Sequence, residues 1–270
     1  MRRILYFSLL FITISINVTL LHPAAKQPES VAAAPAPAKP ALDPKTTVAA
    51  LPTIKDGESP IAINVHGEGS LELDIVDPKF VGYRKNTSFE VHTEKKDGHK
   101  EMKLNVKKSA HAPTASIRLD GELYTLLQFH FHAPSEHHIN DKKYDLEAHF
   151  VHANKAGELA VVGLVFATGS HNEGIEGVIK LVKNRKKKNH PTVLSLADLI
   201  PLSDTKVYRY YGSLTTPPYT KNVKWQVMRA TAEISKEQLE AMRKLSMLNG
   251  ARDVQPLNKR TVLIDNTHSN

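Results

Sequence analysis

No cysteine occurs among the 270 residues. Disulfides are therefore excluded, as is lipid attachment through a cysteine thiol, and the fold must rest on its core alone. Aromatic residues make up only 6%, with a single tryptophan, Trp225. No internal repeat is evident and helical periodicity is scarce; short alternating segments prevail instead. Overall composition, 41% hydrophobic and 24% charged, is that of an ordinary globular protein.

The N-terminal part stands apart. Met1-Arg-Arg3 is a positive start, and Ile4 to Leu21 is apolar except for Thr13, Ser15, Asn17 and Thr19. This resembles a secretory signal peptide, and the apolar run is long enough to remain as a membrane anchor. Residues 22–54 then turn to Ala, Pro and Lys, as in Val31-Ala-Ala-Ala-Pro-Ala-Pro-Ala-Lys-Pro40. Such a stretch buries no core and reads as an extended linker. The expectation is a periplasmic or secreted protein, membrane-tethered if the leader is kept, with its folded body over 55–270. Net charge is +8; five basic and two acidic residues precede Lys55, leaving +5 on the body. The run Lys183-Asn-Arg-Lys-Lys-Lys188 lacks interleaved aromatics and any binding motif, so it reads as a solvated loop and no nucleic-acid partner is expected.

From Ile61 onward the body reads as many short strands. Leu71–Ile75, Phe89–Val91 and Met102–Val106 alternate, with a turn at Asp97-Gly98. Ser116–Leu119 leads through Asp120-Gly121, a hairpin signal, into Leu123–His132. Leu146–His152 follows, then Leu159–Thr168, whose continuous apolar run suits a buried central strand. Val223–Met228 is a further strand. Helices are expected at Gly174–Lys183 and at Ser235–Leu245, the latter with Gln238 three residues after Ser235 in a capping-box arrangement, and a short one at Val193–Leu199. The fold class is one mainly-β domain with a few peripheral helices.

The chemistry concentrates in Gln128-Phe-His-Phe-His132 and Glu147-Ala-His-Phe-Val-His152. Side chains alternate faces along a strand, so His130 and His132 point one way, while Glu147, His149 and Val151 share a face of the second strand. Two such strands side by side aim three imidazoles at one point. Three histidines and an open fourth position are the pattern of a catalytic zinc, which lowers the pKa of its bound water to about 7. Cobalt or iron would suit the same ligands.

Further segments carry a resemblance. With Ser135-Glu136-His137, Gly212-Ser-Leu-Thr-Thr-Pro-Pro218 and Gln255-Pro-Leu-Asn-Lys-Arg260, the chain resembles the α-class carbonic anhydrases over about Asp56 to Ile264. The resemblance implies a large twisted, mostly antiparallel sheet with the metal at the bottom of a conical cleft. It implies reversible hydration of carbon dioxide to bicarbonate and a proton by a zinc-bound hydroxide, with Zn2+ on His130, His132 and His149. Thr215 would accept a hydrogen bond from that hydroxide and donate to Glu136, which when ionised can only accept. Gln128 and Glu147 would hold ligand rings, and His137 would be a buried polar neighbour. Val151, Val161, Leu214, Thr216 and Trp225 would line the substrate pocket. Inhibition by anions and sulfonamides and a homodimer are further expectations. A binding or adhesion module on the same fold, and a zinc esterase, stay open beside the hydratase.

The sequence departs from that family in four places. Its proton-shuttling histidine follows an Asn-Gly pair; here the stretch is Lys85-Asn-Thr-Ser-Phe89, with Thr87 at that place and His92 as a substitute candidate. Glu58 replaces a neutral residue in the Glu58-Ser-Pro60 turn. Tyr219 follows Pro217-Pro218 where many exported relatives carry half of a disulfide, and their aromatic N-terminal segment gives way here to the Ala/Pro linker.

Overall fold

The computed structural model describes residues 57–265 except 68, 74, 97–98, 108–114 and 188–192; the expected leader and the whole of the expected linker lie outside the described residues. In chain order the strands are β1 (Ala62–Ile63), β2 (Ser70–Leu73), β3 (Lys79–Val81), β4 (Thr87–Lys96), β5 (His99–Val106), β6 (Ser116–Leu119), β7 (Glu122–His132) and β8 (His138–Ile139). They continue as β9 (Leu146–Ala153), β10 (Leu159–Thr168), β11 (Val193–Leu194), β12 (Val207–Ser213), β13 (Lys221–Met228), β14 (Ala232–Ile234), β15 (Leu248–Asn249) and β16 (Val262–Asp265). The helices are α1 (Glu173–Asn184) and α2 (Lys236–Lys244). Among the described residues no helix is long and apolar enough to cross a membrane.

One large mixed sheet runs β11-β4-β5-β7-β9-β10-β13-β12-β16-β2, mostly antiparallel, with β10 and β13 parallel at its centre. The near-continuous apolar run of β10 is explained by that central place: Ala160, Val162, Leu164 and Phe166 enter one core and Val161 and Val165 the other. The larger core is covered by both helices and contains Ile175, Val178, Leu239 and Met242. Asn172 caps α1 by accepting from Ile175 N, and Ser235 and Gln238 close a capping box on α2. The segment expected as a helix from Val193 instead pairs as β11 with Thr87 and Ser88 before a short 3-10 turn over Leu196–Asp198. Two β-branched or γ-branched residues beside an open sheet edge satisfy their backbone there sooner than in an isolated helical turn. The smaller core, with Ile61, Val161, Tyr210, Val223 and Trp225, lies on the opposite face, and that face carries the histidines.

Candidate metal centre

β7 changes phase midway. Tyr124 and Leu126 enter the helix-covered core, and so do Phe129 and Phe131, which strict alternation would send to the other face. The extra residue is Leu127, 42% exposed, where the pairing slips: Leu126 faces His152, but Gln128 faces Val151. A one-residue bulge exchanges the faces of everything beyond it. Because of it His130 stands directly opposite His149, and His132 opposite Glu147. In the earlier register His149 would face Phe129, and His130 would be turned to the helix-covered side of the sheet.

The three rings are buried, with centroids 5.0 Å (His130–His132), 5.3 Å (His130–His149) and 4.7 Å (His132–His149) apart. Each ring has one nitrogen occupied. His130 Nδ1 meets Gln128 Oε1 at 2.9 Å, His132 Nδ1 meets the Gly250 carbonyl at 2.8 Å, and His149 Nε2 meets Glu147 Oε1 at 2.9 Å. These acceptors fix the proton on the bonded nitrogen and leave a lone pair on the other. The set presented to the centre is thus Nε2 of His130, Nε2 of His132 and Nδ1 of His149. His132 Nε2 is fully buried with no hydrogen-bond partner, which is costly unless a ligand occupies it. One atom from each residue lies within 4.8 Å of the others, so one ion can reach all three. Burial, then the neighbouring His132 and His149, pushes His130 well below the ordinary imidazole value, and burial lowers His132 and His149 too. Neutral imidazoles facing one point fit zinc.

Glu147 holds this arrangement from below. Its Oε1 accepts from His137 Nδ1 at 2.7 Å as well as from His149, and its Oε2 accepts the backbone N–H groups of Glu136 and His137, both at 2.9 Å. Burial alone would raise its pKa, but His137 and His149 hold the carboxyl well below the usual range. His137 Nε2 continues to the Tyr210 hydroxyl at 2.7 Å, which meets Ser59 Oγ at 2.7 Å. Gly163 makes room for this: a Cβ there would lie 3.2 Å from Glu147 Oε1 and 3.5 Å from Trp225.

Above the rings is a cavity of about 70 Å3, lined by Val151, Val161, Leu214, Thr216 and Trp225 together with Gln128, His130, His149, Thr215 and Lys103. The five expected lining residues are thus brought together. Glu136, 1% exposed, lies beneath, with Oε1 accepting the Arg252 backbone N–H at 2.8 Å. Burial raises its pKa; His149 and the Thr215 hydroxyl act the other way, although Oε2 is buried without a full hydrogen bond.

Thr87 is not at this cavity. It begins β4, is 3% exposed, pairs with Leu194 and directs its hydroxyl to the Lys85 carbonyl at 3.5 Å. β5 intervenes between β4 and the histidine strand, so the wall residue is Lys103 of β5. His92, half-exposed, stands opposite Lys103 one strand farther out. Lys103 escaped the sequence reading because both strands of the β4–β5 hairpin alternate, and alternation does not say which of them abuts β7.

The rest of the chain agrees with this geometry. Over 154 residues it is 36% identical to a carbonic anhydrase of Pectobacterium carotovorum, covering 56% of this chain and 63% of that protein, so less than two thirds of that relative's length is spanned. The α-carbonic anhydrase structure of Photobacterium profundum superposes with a TM-score of 0.61 at 33% identity, covering 77% of this chain and 88% of that one. The α-carbonic anhydrase of Thermovibrio ammonificans, solved with the inhibitor sulfanilamide, gives 0.60 at 35% identity, covering 77% and 86%. Residues 52–266, which include every side chain of the centre, match the eukaryotic-type carbonic anhydrases as a family, and the chain belongs to that family of zinc enzymes.

Proposed function

We propose that this protein is a zinc-dependent carbonic anhydrase that interconverts carbon dioxide and water with bicarbonate and a proton. The observation that carries the reading is the convergence of three buried imidazole lone pairs beneath a small cavity with one apolar side. Zinc held there by His130, His132 and His149 supplies a water of pKa about 7, and so a nucleophile at neutral pH. The chain's own residues do the rest. Gln128, the Gly250 carbonyl and Glu147 fix the rings. Thr215 Oγ1 gives its proton to Glu136 and keeps a lone pair for the nucleophile, which orients the attack. The charge of a dication beside Glu136 favours its ionised form, against the effect of burial. Val151, Val161, Leu214 and Trp225 offer carbon dioxide an apolar wall without polar capture, so that little binding energy is spent on the ground state.

The same residues support an enzyme over a binding module, because a module has no need of an orphaned His132 nitrogen or of Thr215 beside Glu136. Sulfonamides, one of which is bound in the Thermovibrio ammonificans structure, are proposed as inhibitors. The apolar segment Ile4–Leu21 after Met1-Arg-Arg3 supports export, with the body outside the cytoplasm. Stopped-flow hydration of carbon dioxide before and after chelation, with metal analysis, tests the proposal. Zinc-dependent hydration that Thr215→Ala lowers by about 100-fold is expected, the cost of a misoriented nucleophile. A rate unaffected by chelation, or far greater on an ester than on carbon dioxide, would sink it.

A further inference from the structure

Lys103 is the one formally charged side chain lining the cavity among the described residues. Its strand pairs Leu104 with Phe129, so Lys103 falls opposite His130, with His92 on its other side. A lysine in such a place would ordinarily swing out to water, since its stem has four rotatable bonds. Here it does not. Its Nζ lies 2.9 Å from Glu101 Oε2 and is also hydrogen-bonded to Glu94 Oε1. Glu94 and Glu101 are cross-strand partners, two residues along from His92 and Lys103, so all four share one face. Glu101 is buried and the Lys103 side chain is 22% exposed. Burial opposes the charge, but the hydrogen bonds it donates to Glu94 and Glu101 hold the ammonium above its ordinary pKa. The stem is thereby pinned between two carboxylates along the polar wall, facing the apolar wall of Val161, Leu214 and Trp225.

We infer that Lys103, clamped by Glu94 and Glu101, sets the size of ligand that reaches the three-histidine centre. Carbon dioxide and small anions pass, and a ligand with a bulky ring system is turned away. The inference deepens the proposed function and rests on it. Rejection comes from a fixed obstacle rather than from lost attraction, and a steric element of one or two methylenes changes discrimination by about 10-fold or more.

The test uses the zinc-loaded protein and two sulfonamides that share a head group but differ in bulk. These are trifluoromethanesulfonamide and dansylamide, the latter read directly by fluorescence. Lys103→Ala is expected to tighten dansylamide by about 10-fold while leaving trifluoromethanesulfonamide unchanged. Glu101→Gln, which keeps the lysine but releases one side of the clamp, is expected to move the ratio the same way by less, and it serves as well should Lys103→Ala fold poorly. An unchanged ratio in both variants, or parallel weakening of both ligands, overturns the inference, the second result marking Lys103 as an anion attractor. Failure of both sulfonamides to bind the zinc-loaded parent overturns the functional reading itself.

Discussion

Arg252 lies over the ring of Tyr219, its guanidinium carbon 3.9 Å from the ring centroid. The same side chain bonds Glu58 Oε2 at 2.6 Å and the Ser59 carbonyl at 2.7 Å, while its backbone N–H holds Glu136. Glu58 also takes Lys221. The two departures noted in the sequence, Glu58 for a neutral residue and Tyr219 for a cysteine, therefore meet on one arginine. A cation–π contact and an ion pair tie together the Glu58 turn, the loop after Thr215 and the loop beneath Glu136, without a covalent bond.

That network has a pH signature. Hydrogen bonds from Lys221 and then Arg252 hold the Glu58 carboxyl below its ordinary value of 4.5. A depressed folded-state pKa contributes stability that is full above the unfolded value and is lost as pH falls through the folded one. Glu58→Gln should cost about 1 kcal/mol at neutral pH, the scale of a partly exposed pair, and the deficit should shrink in acid, as pH falls through the depressed folded-state value. Tyr219→Ala should cost about 1 kcal/mol with no such pH dependence. Denaturant unfolding of the three proteins at neutral and acid pH decides this, and a Glu58→Gln deficit that persists in acid would refute the assignment.

The Gly163–Glu147 contact predicts a metal phenotype from a methyl group. A Cβ at 163 meets a carboxylate held by four hydrogen bonds, so the neighbour that must give is the group orienting His149. Gly163→Ala should weaken zinc by about 10-fold, the low end of what disturbing a ligand's outer partner costs, and Glu147→Gln by up to about 100-fold. Competition against a chromophoric chelator measures both. Unchanged zinc affinity in Glu147→Gln would remove the carboxylate from the account.

Much of this was legible in the residues, and the misses have physical causes. His-x-His on one strand and a third histidine on the next follow from period-two geometry. The capping box at Ser235 and the apolar run of β10 declare themselves locally. Which strand stands beside which is not a local property. Thr87 and Lys103 sit in two consecutive alternating segments joined by Asp97-Gly98, and only the β5–β7 pairing shows that the second one forms the wall. The bulge had a signal that alternation masks: the spacing between the core-facing pair Tyr124, Leu126 and the pair Phe129, Phe131 is one residue too long.

Deleting Leu127 should therefore leave the site standing. The residue is exposed at the bulge and fills no core, and without it the Leu126–His152 pair is followed directly by Gln128–Val151, with His130 still opposite His149. Far-UV circular dichroism of the deletion variant should keep the strand signal, and isothermal titration should show parent-like zinc binding. Loss of zinc binding in a deletion variant that keeps its strands would mean that the bulge itself, and not the pairing beyond it, places the histidines.

Proton release gives the last prediction. Among the described residues lining the cavity, the only histidines are His130 and His149, both part of the metal centre. No lining imidazole is left to take up a proton near pH 7, so turnover should rise when imidazole buffer is added. Thr87→His should not relieve that dependence, because position 87 is buried behind β5 at the β4–β11 edge. Forcing a ring into that packed corner should instead cost about 1–3 kcal/mol of stability. Hydration rates across an imidazole series, for the parent, Thr87→His and His92→Ala, separate the alternatives. A parent indifferent to buffer, whose His92→Ala variant acquires the dependence, would assign proton release to the half-exposed histidine beside Lys103.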